Sequence, residues 1–141
     1  MIAFAVAGCA FFPQPSARTL ADDLKDAEAR WAEKGPDSYQ LTMRDYCLCP
    51  FQEPVRATVK DGRVVSITTL DGAPADPSDV SFYPLLVESA FKVVEDNLGA
   101  HSINVAFDPD LGFPAQVSVD PDAQTNDDEI NFDVSNFVAG S

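Results

Sequence analysis

Apolar and polar residues recur along this chain with two periods, one typical of helices and the other of strands. Between Thr19 and Gly35 the apolar residues lie on a single helical stripe formed by Leu20, Leu24, Ala27 and Trp31. Thr19 is the expected N-cap of this helix, because Asp22 follows it at the spacing of a capping box. We expect Gly35 to end the helix in the left-handed conformation, and Pro36 cannot continue it.

A second helix is predicted from Ser81, its expected N-cap, to Leu98, which precedes Gly99. Pro84 falls in the first turn of this helix, where its missing N–H group is tolerated. Apolar residues cover roughly half of the helix circumference. These residues are Tyr83, Leu86, Val87, Ala90, Phe91, Val93, Val94 and Leu98.

Strict alternation of apolar and polar residues predicts strands with one buried face. The alternating apolar residues are Tyr39, Leu41 and Met43 in the first strand, and Ile103, Val105 and Phe107, then Ala115, Val117 and Val119, then Ile130, Phe132 and Val134 in the last three. Two further strands flank Asp61-Gly62, a strong hairpin signal. A three-residue loop there pairs Ala57 with Val65 and Val55 with Ile67. We prefer that register because a two-residue loop mixes the apolar and polar faces.

The predicted order of elements is therefore a helix and three strands, repeated once. Strands with one apolar face belong to antiparallel sheets. We predict one α+β domain over residues 19–141, in which two helices pack on one face of an antiparallel sheet of about six strands, in the order αβββαβββ.

The start of the chain resembles a bacterial lipoprotein signal sequence. Residues 2–8 form an uncharged apolar run that ends in small residues immediately before Cys9, as in a lipobox. On this resemblance, residues 1–8 are the signal peptide, Cys9 carries the lipid, and residues 9–18 form a lipidated tether. Ala10 follows the anchor, which by resemblance to Gram-negative lipoproteins permits sorting to the outer membrane. In another host the anchor holds the protein on the outer face of the cytoplasmic membrane.

One element of a signal peptide is missing from this segment. No Lys or Arg precedes Arg18, so we expect a signal peptide that is truncated at its start. The alternative interpretation is an apolar N-terminal strand over residues 1–12. A transmembrane helix is excluded because the run is far shorter than the ~20 residues that span a bilayer.

Cys47 and Cys49 remain as an even pair once Cys9 is assigned to the lipid. In an oxidising envelope we favour a structural disulfide. Residues i and i+2 of a strand lie about 6.5–7 Å apart at Cα, the upper limit for a disulfide, and a bend before Pro50 would shorten that distance. The alternatives are unbonded thiols in packing, thiol exchange, or capture of a soft metal such as Cu(I). His101, the only histidine, is far away in the sequence, which disfavours zinc.

The net charge of −14 changes the expected partners. It disfavours nucleic acids and anionic membrane surfaces, which would repel the protein. From Val93 to Ser141 there are ten acidic residues and no Lys or Arg. We favour solvated turns for the acidic segments. The alternative is a calcium site, although the spacing does not match an EF-hand. Its candidate ligands are Asp120, Asp122, Asp127, Asp128 and Glu129.

Several short motifs, taken in order, resemble a group of bacterial envelope lipoproteins catalogued as domain of unknown function 6174. The motifs are Cys9, Trp31, Tyr39, Cys47-Leu48-Cys49-Pro50, residues 55–64, residues 107–114, Val119-Asp120 and Asp127-Asp128-Glu129. The resemblance covers nearly the whole mature chain. It implies an envelope lipoprotein of small α+β fold and carries no assigned activity.

The functional prediction follows from location and composition together. We predict a non-enzymatic, lipid-anchored envelope or periplasmic protein that binds an unidentified envelope protein through its polar sheet face or acidic loops, without a cofactor. The alternative is a redox or soft-metal-handling protein that uses Cys47 and Cys49. We find no pairing of nucleophile and base at a recognisable spacing that would indicate catalysis.

Overall fold

The computed structural model describes residues 18–46, 51–125 and 128–140. Over these residues the chain forms two helices and six strands in the predicted order. Their bounds are α1 Leu20–Lys34, β1 Tyr39–Asp45, β2 Val55–Lys60, β3 Arg63–Thr69, α2 Val87–Asp96, β4 Ser102–Phe107, β5 Pro114–Asp120 and β6 Ile130–Ala139. No helix in the described part of the chain is both long enough and apolar enough to cross a membrane.

The six strands form one antiparallel sheet in the order β3-β2-β1-β6-β5-β4. Each group of three consecutive strands is a meander, and the two meanders join through the pairing of β1 with β6. The sheet therefore places the first and last strands of the chain at its centre, and β3 and β4 at its edges. This architecture confirms the predicted α+β fold.

Tyr39 on β1 shows that both helices lie on the same face of the sheet. Its ring makes an edge-on contact with the Trp31 ring of α1, with centroids 5.6 Å apart. Its hydroxyl accepts a hydrogen bond of 3.0 Å from the Val87 N–H group at the start of α2. The predicted inward residues of the central strands are buried with it: Leu41, Met43, Val55, Ala57, Val59, Val117, Val119, Phe132 and Val134.

The first helix begins as predicted and ends differently. The Thr19 hydroxyl accepts from the Asp22 N–H group and the Asp22 carboxylate accepts from the Thr19 N–H group, which completes the capping box. Gly35 has φ −66°, so the prediction of a left-handed cap is wrong. A glycine fits here for a steric reason, because a Cβ atom would lie 2.5 Å from Cδ2 of the Trp31 ring.

The second helix begins at Val87 and ends at Asp96, so both predicted boundaries are wrong. The Ser81 hydroxyl donates to the Ser78 carbonyl within a preceding turn and caps no helix. The residues between Ser81 and Val87 are not helical. Tyr83 and Leu85 among them are buried in the core, whereas Phe82 is exposed.

The Asp61-Gly62 hairpin has a two-residue turn, so the predicted three-residue loop is wrong. Both turn residues have positive φ, 50° for Asp61 and 77° for Gly62, as a type I′ turn requires. Val65 then forms a bulge and is 55% exposed, and beyond it Ala57 pairs with Ile67. Both predicted pairs are thus displaced by two residues. The bulge restores the apolar face that the longer loop was expected to create.

Candidate functional site

The face of the sheet that points away from the helices carries polar side chains, and we call it the outer face. The same alternation that buries the apolar positions turns these residues outward. They include Gln40, Arg44, Arg56, Thr58, Asn104, Gln116, Ser118, Asn131, Asp133 and Ser135.

An open hollow of about 700 Å³ lies on the outer face where β4, β5 and β6 run side by side. The strand register explains which side chains line the hollow. One row across the three strands is Asn104, Ser118 and Asn131. The next row is Ala106, Gln116 and Asp133, and Tyr46 also lines the hollow, from the end of β1.

Tyr46 is a half-exposed aromatic residue at the edge of the hollow, with 49% of its surface accessible. Its hydroxyl donates a hydrogen bond of 2.8 Å to Oδ2 of Asp133. The Arg44 guanidinium lies 4.9 Å from the centre of its ring, within range of a cation–π interaction. The hydrogen bond to the Asp133 carboxylate raises the pKa of the Tyr46 hydroxyl.

The other side chains of the hollow present neutral hydrogen-bonding groups. The Ser118 hydroxyl donates to Oδ1 of Asn131 at 2.6 Å. Asn104 and Gln116 are exposed and carry both amide donors and carbonyl acceptors. An exposed aromatic ring, one carboxylate and several amides form a surface suited to the recognition of a polar partner.

Arg56 joins three strands next to this surface. Its guanidinium donates to the Thr42 hydroxyl at 3.1 Å and to the Gln40 side-chain oxygen at 3.3 Å on β1. It also donates to the Asn136 carbonyl at 2.6 Å, where β6 bulges and Asn136 has φ 49°. Arg56 therefore holds the centre of the outer face in one arrangement.

The structure describes only some of the other site residues that the sequence predicts. Cys9, Cys47, Cys49 and Asp127 lie outside the described residues. Asp122 forms a local turn, in which its carboxylate accepts from the Gln124 N–H group at 2.9 Å and the Thr125 hydroxyl at 3.2 Å.

The acidic hairpin end between β5 and β6 leaves two oxygens unpaired. Oδ1 of Asp120 and Oδ1 of Asp128 are buried without a hydrogen-bond partner in the described structure. Among the described residues, no group of three acidic, Cys or His side chains is placed to hold a metal. The calcium site stays the untested alternative to solvated turns.

Sequence reasoning missed Tyr46 and Asp133 as partners. Alternation places Tyr46 on the outer face, because Arg44 and Tyr46 alternate with Met43 and Asp45, which are buried. Asp133 lies on the same face. The contact itself depends on the pairing of β1 with β6, which joins residues 87 positions apart.

The fold and the site together define a small α+β module with one helical layer and one open polar sheet face. The model of a family of unknown function, DUF6174, matches residues 23–139, and the chain belongs to that family. No curated protein and no solved structure gave a significant match.

Proposed function

We propose that this protein is a non-enzymatic, lipid-anchored module of the bacterial envelope that binds a partner protein through the hollow on its outer face. The observation that carries the proposal is the half-exposed Tyr46 ring, which is in contact with Arg44 and Asp133 and lies beside the exposed amides of Asn104 and Gln116. Exposed aromatic residues with fixed orientation are typical anchors of protein interfaces.

The position of the predicted tether supports the outer face as the surface that a partner can reach. Arg18, its last residue, pairs with Asp23 at 2.9 Å and with Asp26, so the tether meets the domain at the start of α1. Since α1 lies on the opposite side of the sheet from the hollow, an anchor at Cys9 leaves the outer face accessible to a partner.

The lipid anchor is tested by metabolic labelling with an alkynyl fatty acid in a bacterium that expresses the chain. We expect label and membrane association for the unaltered chain, and neither for Cys9→Ser. The double variant Cys47→Ser with Cys49→Ser is the matched control and should keep the label. Label that persists in Cys9→Ser contradicts the anchor.

The binding face is tested by photo-crosslinking in intact envelopes. A photoreactive residue at Gln116, which is exposed in the hollow, is compared with one at exposed Lys25 on α1. We expect a discrete protein adduct from position 116 only, and less of it when Tyr46→Ala is added. Tyr46→Phe keeps the ring and should retain most of the adduct. Identical adducts from both positions contradict the proposed face.

A further inference from the structure

The two edges of the sheet are protected differently. At β3 the chain folds back over its own edge, where Thr68 forms a bridge with Pro74. The Thr69 N–H group donates to the Ala73 carbonyl at 2.8 Å, and the Ala75 N–H group donates to the Ile67 carbonyl at 3.0 Å. The residues 73–75 therefore occupy this edge, and Pro74 blocks further strand addition.

The β4 edge has none of these features. No strand of the described chain pairs with its outward side. Ser102–Phe107 contains neither a charged residue nor a proline, which are the usual means of preventing strand addition at an edge.

The hydrogen bonding of β4 shows which backbone groups are free to pair. The His101 N–H group donates to the Pro121 carbonyl at 3.3 Å, on the β5 side. In an antiparallel ladder this direction alternates, so Ile103 and Val105 also turn toward β5. The N–H and C=O groups of Ser102, Asn104 and Ala106 consequently point away from the sheet.

The inner side of β4 is also incompletely covered. Ile103 and Val105 are only half-buried, whereas Val117 and Val119 on neighbouring β5 are 2% and 1% exposed. An added strand with apolar residues at alternate positions would cover these side chains while its backbone pairs with β4.

The negative charge around β4 favours a basic partner. Acidic residues lie beyond both of its ends, Asp108 and Asp110 at one end and Asp120 and Asp122 at the other. No Lys or Arg follows Lys92 in the sequence. A second copy of this chain would bring its own acids against these, so a basic segment is favoured.

We propose that the edge of β4 is a strand-addition site for an extended, Lys- or Arg-containing segment of the envelope partner, with apolar residues at alternate positions. This inference rests on the proposed function and names the chemistry of the partner. The apolar side chains of the segment lie over Ile103 and Val105, and its basic side chains lie on the outer face beside the hollow.

The test uses the full chain carrying Cys9→Ser and a fluorescent eight-residue peptide of alternating Lys and Val, with binding measured by anisotropy. We expect saturable binding that weakens as NaCl is raised. The matched peptide of Glu and Val should not bind. Methylation of every second backbone nitrogen should weaken binding by about tenfold or more, since several backbone hydrogen bonds are lost. Equal binding of the methylated and unmethylated peptides overturns the proposal without requiring any variant to fold.

A pair of variants locates the site. Ser102→Pro removes one outward N–H group at the first residue of the edge strand, where proline is tolerated and which does not line the hollow, and Ser102→Ala keeps that N–H group. We expect the first to weaken peptide binding and the second to leave it unchanged.

The remaining outcomes separate the two proposals. Peptide binding that is lost in Tyr46→Ala and unaffected by Ser102→Pro places the peptide in the hollow. That result overturns the edge site and leaves the proposed function intact. If the protein dimerises without peptide and Ser102→Pro abolishes the dimer, the edge binds a second copy of the chain, which also overturns the inference. The photo-crosslinking experiment tests the proposed function separately, and the absence of an adduct at position 116 would contradict it.

Discussion

Gly35 shows that a position can require glycine because of packing that the surrounding sequence does not reveal. Its φ of −66° is available to any residue, yet a Cβ atom would lie 2.5 Å from both the Trp31 ring and the Trp31 carbonyl oxygen. We expect Gly35→Ala to lower the free energy of unfolding by about 1–3 kcal/mol, as other overpacked sites do. The measurement is urea denaturation.

Gly99→Ala is the matched control for this substitution. The space around the Gly99 Cβ position is open within 4 Å, and its φ lies outside the left-handed region. We expect no loss of stability there, since alanine also restricts the unfolded chain. Equal effects at Gly35 and Gly99 would contradict the steric explanation.

Glu28 and Glu95 form a like-charged contact between the two helices. Partial burial, and then the hydrogen bond with the Glu95 carboxyl, raise the pKa of Glu28 above its ordinary value of 4.5. A raised pKa in the folded state stabilises the fold below the unfolded pKa, and this contribution is lost as pH rises through the folded value. At pH 7 the pair is therefore unfavourable. We expect Glu28→Gln to raise Tm at pH 7 and to have little effect below pH 4.

The partner residue provides the control for this prediction. Glu95→Gln should give a smaller rise in Tm, because it removes the repulsion and leaves the Glu28 carboxylate partly buried. The double variant should gain little over Glu28→Gln alone, because both single variants remove the same repulsion. Fully additive gains would show that the two carboxyl groups act independently.

At the scale of elements, α2 is capped by a residue from a distant strand. The Tyr39 hydroxyl accepts from the Val87 N–H group, and the α2 N-cap, Leu86, has no side-chain cap of its own. We expect Tyr39→Phe to lower the free energy of unfolding by about 1–3 kcal/mol, since it leaves a buried donor unpaired. Tyr46→Phe, which loses an exposed hydrogen bond to the Asp133 carboxylate, should cost less.

The same residue determines part of the response to alkaline pH. Burial is the main cause that raises the pKa of Tyr39 from 10.0 to about 12. Its stabilising contribution is therefore complete below pH 10 and is lost as pH rises through about 12. We expect this part of the alkaline loss of stability to be absent in Tyr39→Phe. If the unaltered protein and Tyr39→Phe lose stability in the same way as the pH rises, the assignment of this loss to Tyr39 is contradicted.

These elements show why the sequence predicted the order of the fold and missed some of its boundaries. Alternation at Leu41, Met43, Val117 and Val119 reports burial directly, so strands and faces follow from local pattern. The start of α2 depends on Tyr39, which lies 48 residues away from Val87 in the sequence. A local pattern carries no information about such a contact.

The candidate site, too, could be predicted only in part from the sequence. The outward positions of Asn104, Gln116 and Ser118 could be predicted from alternation alone. The hollow could not, because it requires β6 to lie between β1 and β5. Only that order brings Tyr46 to Asp133.

The β5–β6 connection permits a direct test of the calcium interpretation. The Asp122 carboxylate already serves its own turn, accepting from Gln124 and Thr125. We expect Tm in millimolar CaCl₂ to equal Tm in MgCl₂ at the same ionic strength, since both cations then act by screening. A higher Tm in CaCl₂ alone, abolished by Asp120→Asn, would establish a calcium site.

At the scale of the whole molecule, charge and chemistry are unevenly distributed. All nine Lys and Arg residues precede Val93, and ten of the 23 acidic residues follow Lys92. The half of the sheet formed by β4, β5 and β6, which holds the hollow and the β4 edge, is therefore the acidic half. A basic partner would approach this half first, because long-range attraction steers association before contacts form.

Cys47 directly follows Tyr46 in the sequence and Cys49 lies two positions further on, so the redox state of the pair bears on both functional interpretations. A protein that acts by binding through its sheet needs no reactive thiol, and in an oxidising envelope the pair should be closed. We expect alkylation under denaturing conditions, followed by intact mass measurement, to show no labelled thiol in envelope-expressed Cys9→Ser without reductant. Two labels should appear after full reduction.

The same variant produced in the cytoplasm is the control, and should carry two labels without reductant because thiols are kept reduced there. A closed bond that the glutathione pool does not open has the low potential of a structural disulfide. Because that bond encloses a very short loop, its removal by Cys47→Ser with Cys49→Ser should lower stability modestly and leave peptide binding at β4 intact. Two free thiols in the envelope protein, or a bond opened by mild reductant while the fold persists, would instead favour redox or soft-metal chemistry beside Tyr46.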